Sequence, residues 1–299
     1  MPSVCPSDRD SETRDWRNLI DPNPKLIPTR TILSKVASAL TFGWSDTSRA
    51  RLAIRRTVSS IASMILRMRS SRLSADMPTS VLVIAPHPDD ETFGCGGTVS
   101  VMVRTGVVLH VAFLTDGSAS HPNHPVVTPN EVAALRMAEA RLATGILGVA
   151  WDRVTFLGAQ DGALARLCGD SLLRIVHAIA ALISQLKPEA ILLPCRDDGS
   201  SEHDAAFRFV CTALEKADLR PRILEFPVWS WWNPFMILKS LRMCRKVWRV
   251  DLGNARDIKA RAMASYVSQT LPIPPDTRAA LPSGFESMFH GPEEFVLER

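Results

Sequence analysis

Apolar residues beyond position 80 come in short unbroken blocks, separated by longer stretches where they recur every three or four positions. The blocks at 81–85 (Val-Leu-Val-Ile-Ala), 107–114, 153–157, 190–193 and 222–225 have strand length and strand composition. The intervening stretches have helical spacing. One covers 94–104 and ends before Gly106; a second covers 130–147, opened by Asn130 as N-cap and closed by Gly148. Two more cover 170–186 and 203–216. Strand and helix alternating in this way predict βαβ units, hence an α/β fold with a mostly parallel sheet flanked by helices.

Upstream the pattern changes. Within 47–72, Leu52, Ala53, Ile54, Val58, Ile61, Met64, Ile65 and Met68 recur at helical spacing among seven arginines and no acid. That describes a basic amphipathic helix. It either packs on the domain with solvated arginines or lies on an anionic membrane surface. The lack of Trp and Phe in the stretch favours packing. Residues 1–30 are polar and proline-bearing, and irregular structure is expected there. The chain therefore divides into a basic helical N-terminal extension, 1–79, and a domain, 80–299.

Of the 299 residues 46% are hydrophobic and 22% charged, an ordinary balance for a globular protein. Net charge is +4, but residues 1–80 hold 13 Lys and Arg against 7 Asp and Glu, leaving the domain slightly acidic. No nucleic-acid footprint is expected on the domain. No apolar run reaches the roughly 18 residues of a membrane span, and residues 1–17 hold no signal-like apolar core. The six cysteines are scattered with no C-x-x-C pair, which fits reduced thiols. A cytoplasmic location is expected, with peripheral contact at the inner membrane face as an extension of it.

The chemistry concentrates where the first strand ends, at 86–91, Pro-His-Pro-Asp-Asp-Glu. Parallel strands deliver their C-terminal ends to the ligand crevice, and crowded carboxylates call for a cation or a proton. His87 and Asp90 can face one ion across a tight turn. Catalytic zinc usually takes three protein ligands and keeps a position for water. The best third donor is His203, which opens a helix just after the fourth strand. Asp89 is then left beside the ion, free to act as general base. Ser200, His121 and His124 are candidates to steady an oxyanion, and the pattern does not choose among them.

Other positions carry weaker signals. Arg136 and Glu139, one helical turn apart, read on their own as a surface i,i+3 ion pair. Asp116, at a strand end, is expected near the substrate. His110 and His177 sit among apolar residues and read as structural. Gly94-Cys-Gly-Gly is explained by tight packing, since it lacks dinucleotide-fingerprint spacing. Residues 226–248 carry four tryptophans with Lys239, Arg242, Arg245 and Lys246. They suit packing, sugar stacking or a membrane interface.

Pro86-His-Pro-Asp-Asp-Glu followed by Gly94-Cys-Gly-Gly-Thr resembles the signature of the PIG-L/LmbE-like N-acetylglucosaminyl deacetylases. Thr115-Asp-Gly, Arg136 with Glu139, Phe156-Leu-Gly, Asp161-Gly, Leu193-Pro-Cys-Arg-Asp-Asp-Gly, Glu225-Phe-Pro-Val-Trp, Lys259 with Tyr266-Val-Ser-Gln, and Gly291-Pro-Glu-Glu-Phe follow in family order. The resemblance implies a Rossmann-like fold, one zinc per chain, and hydrolysis of the N-acetyl group of an N-acetylglucosamine conjugate by a metal-bound water. It places His87, Asp90 and His203 on the zinc ligands, Asp89 on the catalytic base, and Arg136 near substrate. The family's second motif usually reads His-Pro-Asp-His; here it is Ser200-Ser-Glu-His, so Ser200 replaces a histidine thought to assist the transition state. The alternatives are a catalytically weak, metal-stabilised carbohydrate-binding member, or an amidase with another N-acyl substrate. The expected partner is an amino sugar, with membrane or glycolipid contact through 47–72 and 226–248.

Overall fold

The structure, a computed structural model, describes residues 49–233 and 235–298. The segment 1–30 and the first two residues of the basic stretch 47–72 lie outside the described residues. Eight strands form one sheet: β1 (Ser70–Arg72), β2 (Ser80–Ala85), β3 (Val108–Thr115), β4 (Val154–Ala159), β5 (Ala190–Pro194), β6 (Arg222–Phe226), β7 (Lys246–Asp251) and β8 (Glu293–Glu298). Their order is β1-β7-β8-β6-β5-β2-β3-β4. β8 runs antiparallel to β6 and β7, and the other pairs are parallel. The expected mostly parallel α/β sheet is present, extended by β1, β7 and β8, which the apolar blocks do not reveal.

Alternation along β2 shows how the layers form. Val81, Val83 and Ala85 face a core shared with Phe93, Val99 and Met102 of α2 (Asp90–Arg104) and with Ala140, Ala143 and Leu147 of α3 (Pro129–Leu147). Leu82 and Ile84 face the opposite core, built with α4 (Gly169–Leu186) and α5 (Ser201–Ala217). By length and composition α4 would span a membrane, although the unbroken-run criterion finds no such segment. Its Ile175, Val176, Ile179 and Ile183 are buried in the second core, as in a core helix.

Three helix boundaries differ from the pattern. α3 is capped not by Asn130 but by Thr128, whose side chain accepts from Glu131 N while Glu131 reaches back to Thr128, a reciprocal capping box with Pro129 in the first turn. α5 begins at Ser201, two residues before His203, with Ser200 as N-cap. α2 begins at Asp90 and is interrupted at Cys95. The amides of Gly97 and Thr98, just past that break, donate to the Glu294 carboxylate at 2.9 and 2.6 Å, and Lys259 Nζ stands 2.6 Å from the same group. A Cβ on Gly97 would meet Leu252 Cδ2 at 2.6 Å, and one on Gly94 would meet Phe226 Cδ2 at 2.2 Å. Close packing thus accounts for these glycines.

The basic helix forms as α1 (Arg49–Arg69) and packs on the domain through an unexpected face. Arg55, Ser59, Ala62 and Leu66 are buried, and Ile54, Ile61, Met64 and Met68 are exposed. Arg55 lies over the Trp232 ring at 4.2 Å and donates to Trp232 O at 2.5 Å, while Ser59 Oγ donates to Trp231 O at 3.0 Å.

Candidate functional site

The loop from β2 to α2 is held in a conformation only its surroundings explain. Asp89 has φ of 129°, which non-glycine residues rarely adopt. Glu91, fully buried, accepts from Asp89 N at 3.0 Å, from Tyr266 Oη at 2.6 Å and from Thr92 Oγ1 at 2.5 Å. The third carboxylate of the motif is thereby a clamp for the loop, while its charge still presses on Asp89. Burial pushes the Glu91 carboxyl up against these hydrogen bonds.

The loop brings together what the sequence analysis groups. His87 Nδ1 lies 3.1 Å from Asp90 Oδ2, and His203 Nε2, from the first turn of α5, lies 3.3 Å from Asp90 Oδ1. Ligand atoms of these three residues all fall within 4.8 Å of one another. His203 is fully buried, yet its Nε2 makes no well-formed hydrogen bond. Such an imidazole nitrogen facing a carboxylate and a second imidazole is a donor set suited to zinc.

A second grouping, His87 with Asp161 and Glu202, also meets the distance criterion. Its carboxylates are already engaged by protein donors. Glu202 accepts from Leu164 N at 2.8 Å, and Asp161 accepts from Ala119 N at 2.7 Å and Gly162 N at 2.9 Å. Glu202 Oε2 stands 2.6 Å from His87 Nε2, so it fixes that ring and directs Nδ1 toward Asp90. Asp198 treats His203 likewise, at 3.0 Å from Nδ1.

Electrostatics follow from this crowding. Burial alone would lower His87, but Asp90 and Glu202 reverse it and raise its pKa to about 10. Burial likewise opposes protonation of His203, and Asp90 and Asp198 overcome it, giving about 9. Asp90, despite burial, is held well below the usual carboxylate range by His203 and His87. Asp89 goes the other way: burial raises it to about 7, with Arg136 pulling it down and Asp90 pushing it up.

Arg136 is buried, and Nη2 donates to Asp89 Oδ2 at 2.9 Å and to the carbonyl of Pro88, while Nη1 donates to Gln269 Oε1 at 3.0 Å. No ion pair with Glu139 forms; Glu139 instead accepts from Ser268 N at 2.8 Å and Ser268 Oγ at 2.6 Å. A cleft of about 380 Å³ opens on His87, Asp89, Asp90, Arg136 and Ser200, walled by Trp229 and Phe285. Ser200 Oγ accepts from His203 N at 3.4 Å, so the replaced motif position also caps the ligand-bearing helix.

Not every candidate arrives. Asp116 does not line the cleft, and its Oδ1 accepts from Ser118 N at 3.0 Å within its own turn. His124 Nε2 bonds Ile273 O at 3.1 Å, and His121, buried beside it, stands behind Ser120, with Nδ1 3.0 Å from Ser120 Oγ. Sequence reasoning misses Asp161, Asp198, Glu202 as the partner of His87, and Gln269. All four stand within stretches that the family resemblance names, Gln269 as the last residue of Tyr266-Val-Ser-Gln, but their contacts are made across distant sequence.

Residues 82–214 match the family described as PIG-L: GlcNAc-PI de-N-acetylase. A 1D-myo-inositol 2-acetamido-2-deoxy-alpha-D-glucopyranoside deacetylase of Mycobacterium sp. (strain JLS) is 23% identical over 282 residues, spanning 80% of this chain and 91% of that protein. A diacetylchitobiose deacetylase of Thermococcus kodakarensis is 26% identical over 194 residues, spanning 63% of this chain and 69% of that one. Among solved structures, a conserved protein of Thermus thermophilus superposes with a TM-score of 0.50 at 25% identity, covering 71% of this chain and 85% of its own.

Proposed function

We propose, from the premise that residues 82–214 match the PIG-L family, that the chain is a zinc-dependent deacetylase releasing acetate from an N-acetylglucosamine conjugate. The observation that carries this reading is the convergence of His87 Nδ1, Asp90 and His203 Nε2, the last buried without a well-formed hydrogen bond, beside the cleft. The relatives are named as deacetylases of N-acetylated amino sugars.

His87, Asp90 and His203 would hold the cation. When bound, zinc supplies Lewis acidity, easing deprotonation of a water near neutral pH and polarising an amide carbonyl. Asp89 takes the proton of the attacking water and returns it to the departing amine. Burial raises this carboxyl to about 7 in the metal-free chain, which favours its taking up a proton. Arg136 holds one oxygen of Asp89 and, through Gln269, ties it to the far wall of the cleft. Ser200 keeps its hydroxyl proton to donate toward the amide oxygen while its oxygen caps α5. Asp116 receives no role, because it is not brought to the cleft.

Acetate release from a panel of N-acetylglucosaminides tests the reading, with Asp89→Asn as control. Loss of a longer acyl group by product mass would favour a different N-acyl substrate. Sugar binding without turnover would favour the non-catalytic alternative.

Peripheral membrane contact is proposed for the outer face of α1 alone, where Ile54, Ile61, Met64 and Met68 stand exposed on an arginine-rich helix. In 226–248, Trp232 and Trp248 are buried, which withdraws two of the four indoles from such a surface, while Lys239 is exposed and pairs with Asp197 at 2.9 Å. Absence of binding to anionic vesicles at low salt would remove this contact.

A further inference from the structure

Beside the cleft at His87 the chain opens a larger concavity of about 650 Å³. Trp229, Ala280, Leu281 and Phe285 line both spaces, so an inner cleft and an outer trough adjoin along one shared wall. The outer part is built largely from residues 270–286, past the residues 82–214 that match the family model. Pro272, Ala279 and Pro282 add to its apolar walls, and the charges of Arg278 and Glu286 stand at exposed positions.

This wall is fixed relative to the reacting groups. Phe285 is buried, with its ring 4.6 Å from Trp229 and 5.8 Å from Phe93. Leu281 N donates to the carbonyl of Gln269 at 2.9 Å, and the side chain of that same Gln269 holds Arg136 against Asp89. At the other end, Gly284 has φ of +82° and passes over α1 so closely that a Cβ would lie 3.2 Å from Leu52 Cδ2. Arg56 Nε donates to Ser287 Oγ at 3.3 Å. The N-terminal helix thus buttresses the loop that shapes the trough.

We infer that the outer trough receives a bulky apolar aglycone, so that the preferred substrate is an N-acetylglucosaminide carrying a large hydrophobic ring-bearing group. The inference rests on the deacetylase reading of the inner cleft. The inner space suits one acetamido sugar, and a free sugar or a small polar conjugate would leave the outer walls wet. A space of this size falls in the range that encloses a drug-sized ligand. Trp229, at the junction, offers an indole face to whatever follows the glycosidic oxygen.

The test compares kcat/KM for acetate release by the full chain loaded with zinc. Substrates are methyl N-acetylglucosaminide, 2-naphthyl N-acetylglucosaminide (each as both anomers) and N,N'-diacetylchitobiose. The naphthyl glycoside is expected to exceed the methyl one by about tenfold or more, and the disaccharide is not. Ala279→Trp, which fills only the outer trough, is expected to bring the naphthyl-to-methyl ratio near one; Thr277→Trp on the same wall serves if that variant does not fold. Equal values for naphthyl and methyl glycosides, an equal gain by the disaccharide, or a ratio that survives the folded variant would overturn the inference. If no glycoside yields acetate, the deacetylase reading has failed instead, and calorimetric binding of 2-naphthyl glucosaminide decides the trough. Binding lost in the variant supports it, and no binding by the native chain overturns it.

Discussion

Asp198 and His203 form a fully buried pair, with Asp198 Oδ2 3.0 Å from His203 Nδ1. The same carboxylate accepts the amides of Val228 at 3.2 Å, Trp229 at 2.8 Å and Ser230 at 2.7 Å, and the Ser230 hydroxyl. One side chain therefore orients a metal ligand and anchors the wall of the cleft. Asp198→Asn removes the charge that fixes the imidazole tautomer. Zinc affinity is expected to fall by about 10- to 100-fold, measured by competition with a chelating dye.

Asp89 and Arg136 give a pH prediction. A base works deprotonated, so activity rises with pH through the pKa of Asp89, about 7 in the metal-free protein and lower when a cation adds positive charge. Removing the guanidinium in Arg136→Met removes the influence that lowers this pKa. The rising limb of the kcat/KM profile is expected to move to higher pH, and a limb that stays in place would refute the coupling.

The imidazoles make metal-free and loaded protein respond oppositely to pH. In the metal-free chain His87 and His203 titrate near 10 and 9, above their ordinary 6.5. Their contribution to stability is thus complete below about pH 6.5 and is lost as pH rises through 9 to 10. The Tm of chelated protein is expected to fall across that window. Zinc binding displaces the same protons, so its apparent affinity is expected to climb over the window. Calorimetry with and without zinc checks both trends.

Much of this was legible along the chain. The Pro-His-Pro-Asp-Asp-Glu loop follows an unmistakable buried strand, and His203 stands out because it opens a helix after another strand. The third acid, Glu91, reads only as crowding and proves to be a clamp as well, a role hidden because its partner Tyr266 lies 175 residues away. Gln269 closes the Tyr266-Val-Ser-Gln motif, but its hold on Arg136 joins residues 133 apart and cannot be read locally. β7 and β8 escape notice because Lys246-Val-Trp-Arg-Val-Asp and Glu293-Glu-Phe-Val-Leu-Glu are short and charge-bounded, and they pair with each other across distant sequence. The Thr128-Pro-Asn-Glu131 capping box, by contrast, is visible in the residues themselves and outcompetes Asn130 because it satisfies both ends of the turn.

Lys259 and Glu294 bear on stability rather than chemistry. The pair is buried at 2.6 Å against the break in α2. Lys259→Met leaves Glu294 as an uncompensated buried charge, and denaturant unfolding is expected to show a loss of about 3–5 kcal/mol. A loss within experimental scatter would contradict a stabilising role for the pair.

The most direct measurement is zinc titration of chelated protein, comparing the native chain with His203→Ala and Asp89→Asn. One equivalent is expected to bind to the native chain and to Asp89→Asn, with Asp89→Asn losing acetate release by about 100-fold or more, while His203→Ala loses both tight binding and turnover. Undiminished zinc binding in His203→Ala would contradict the assignment of the metal centre.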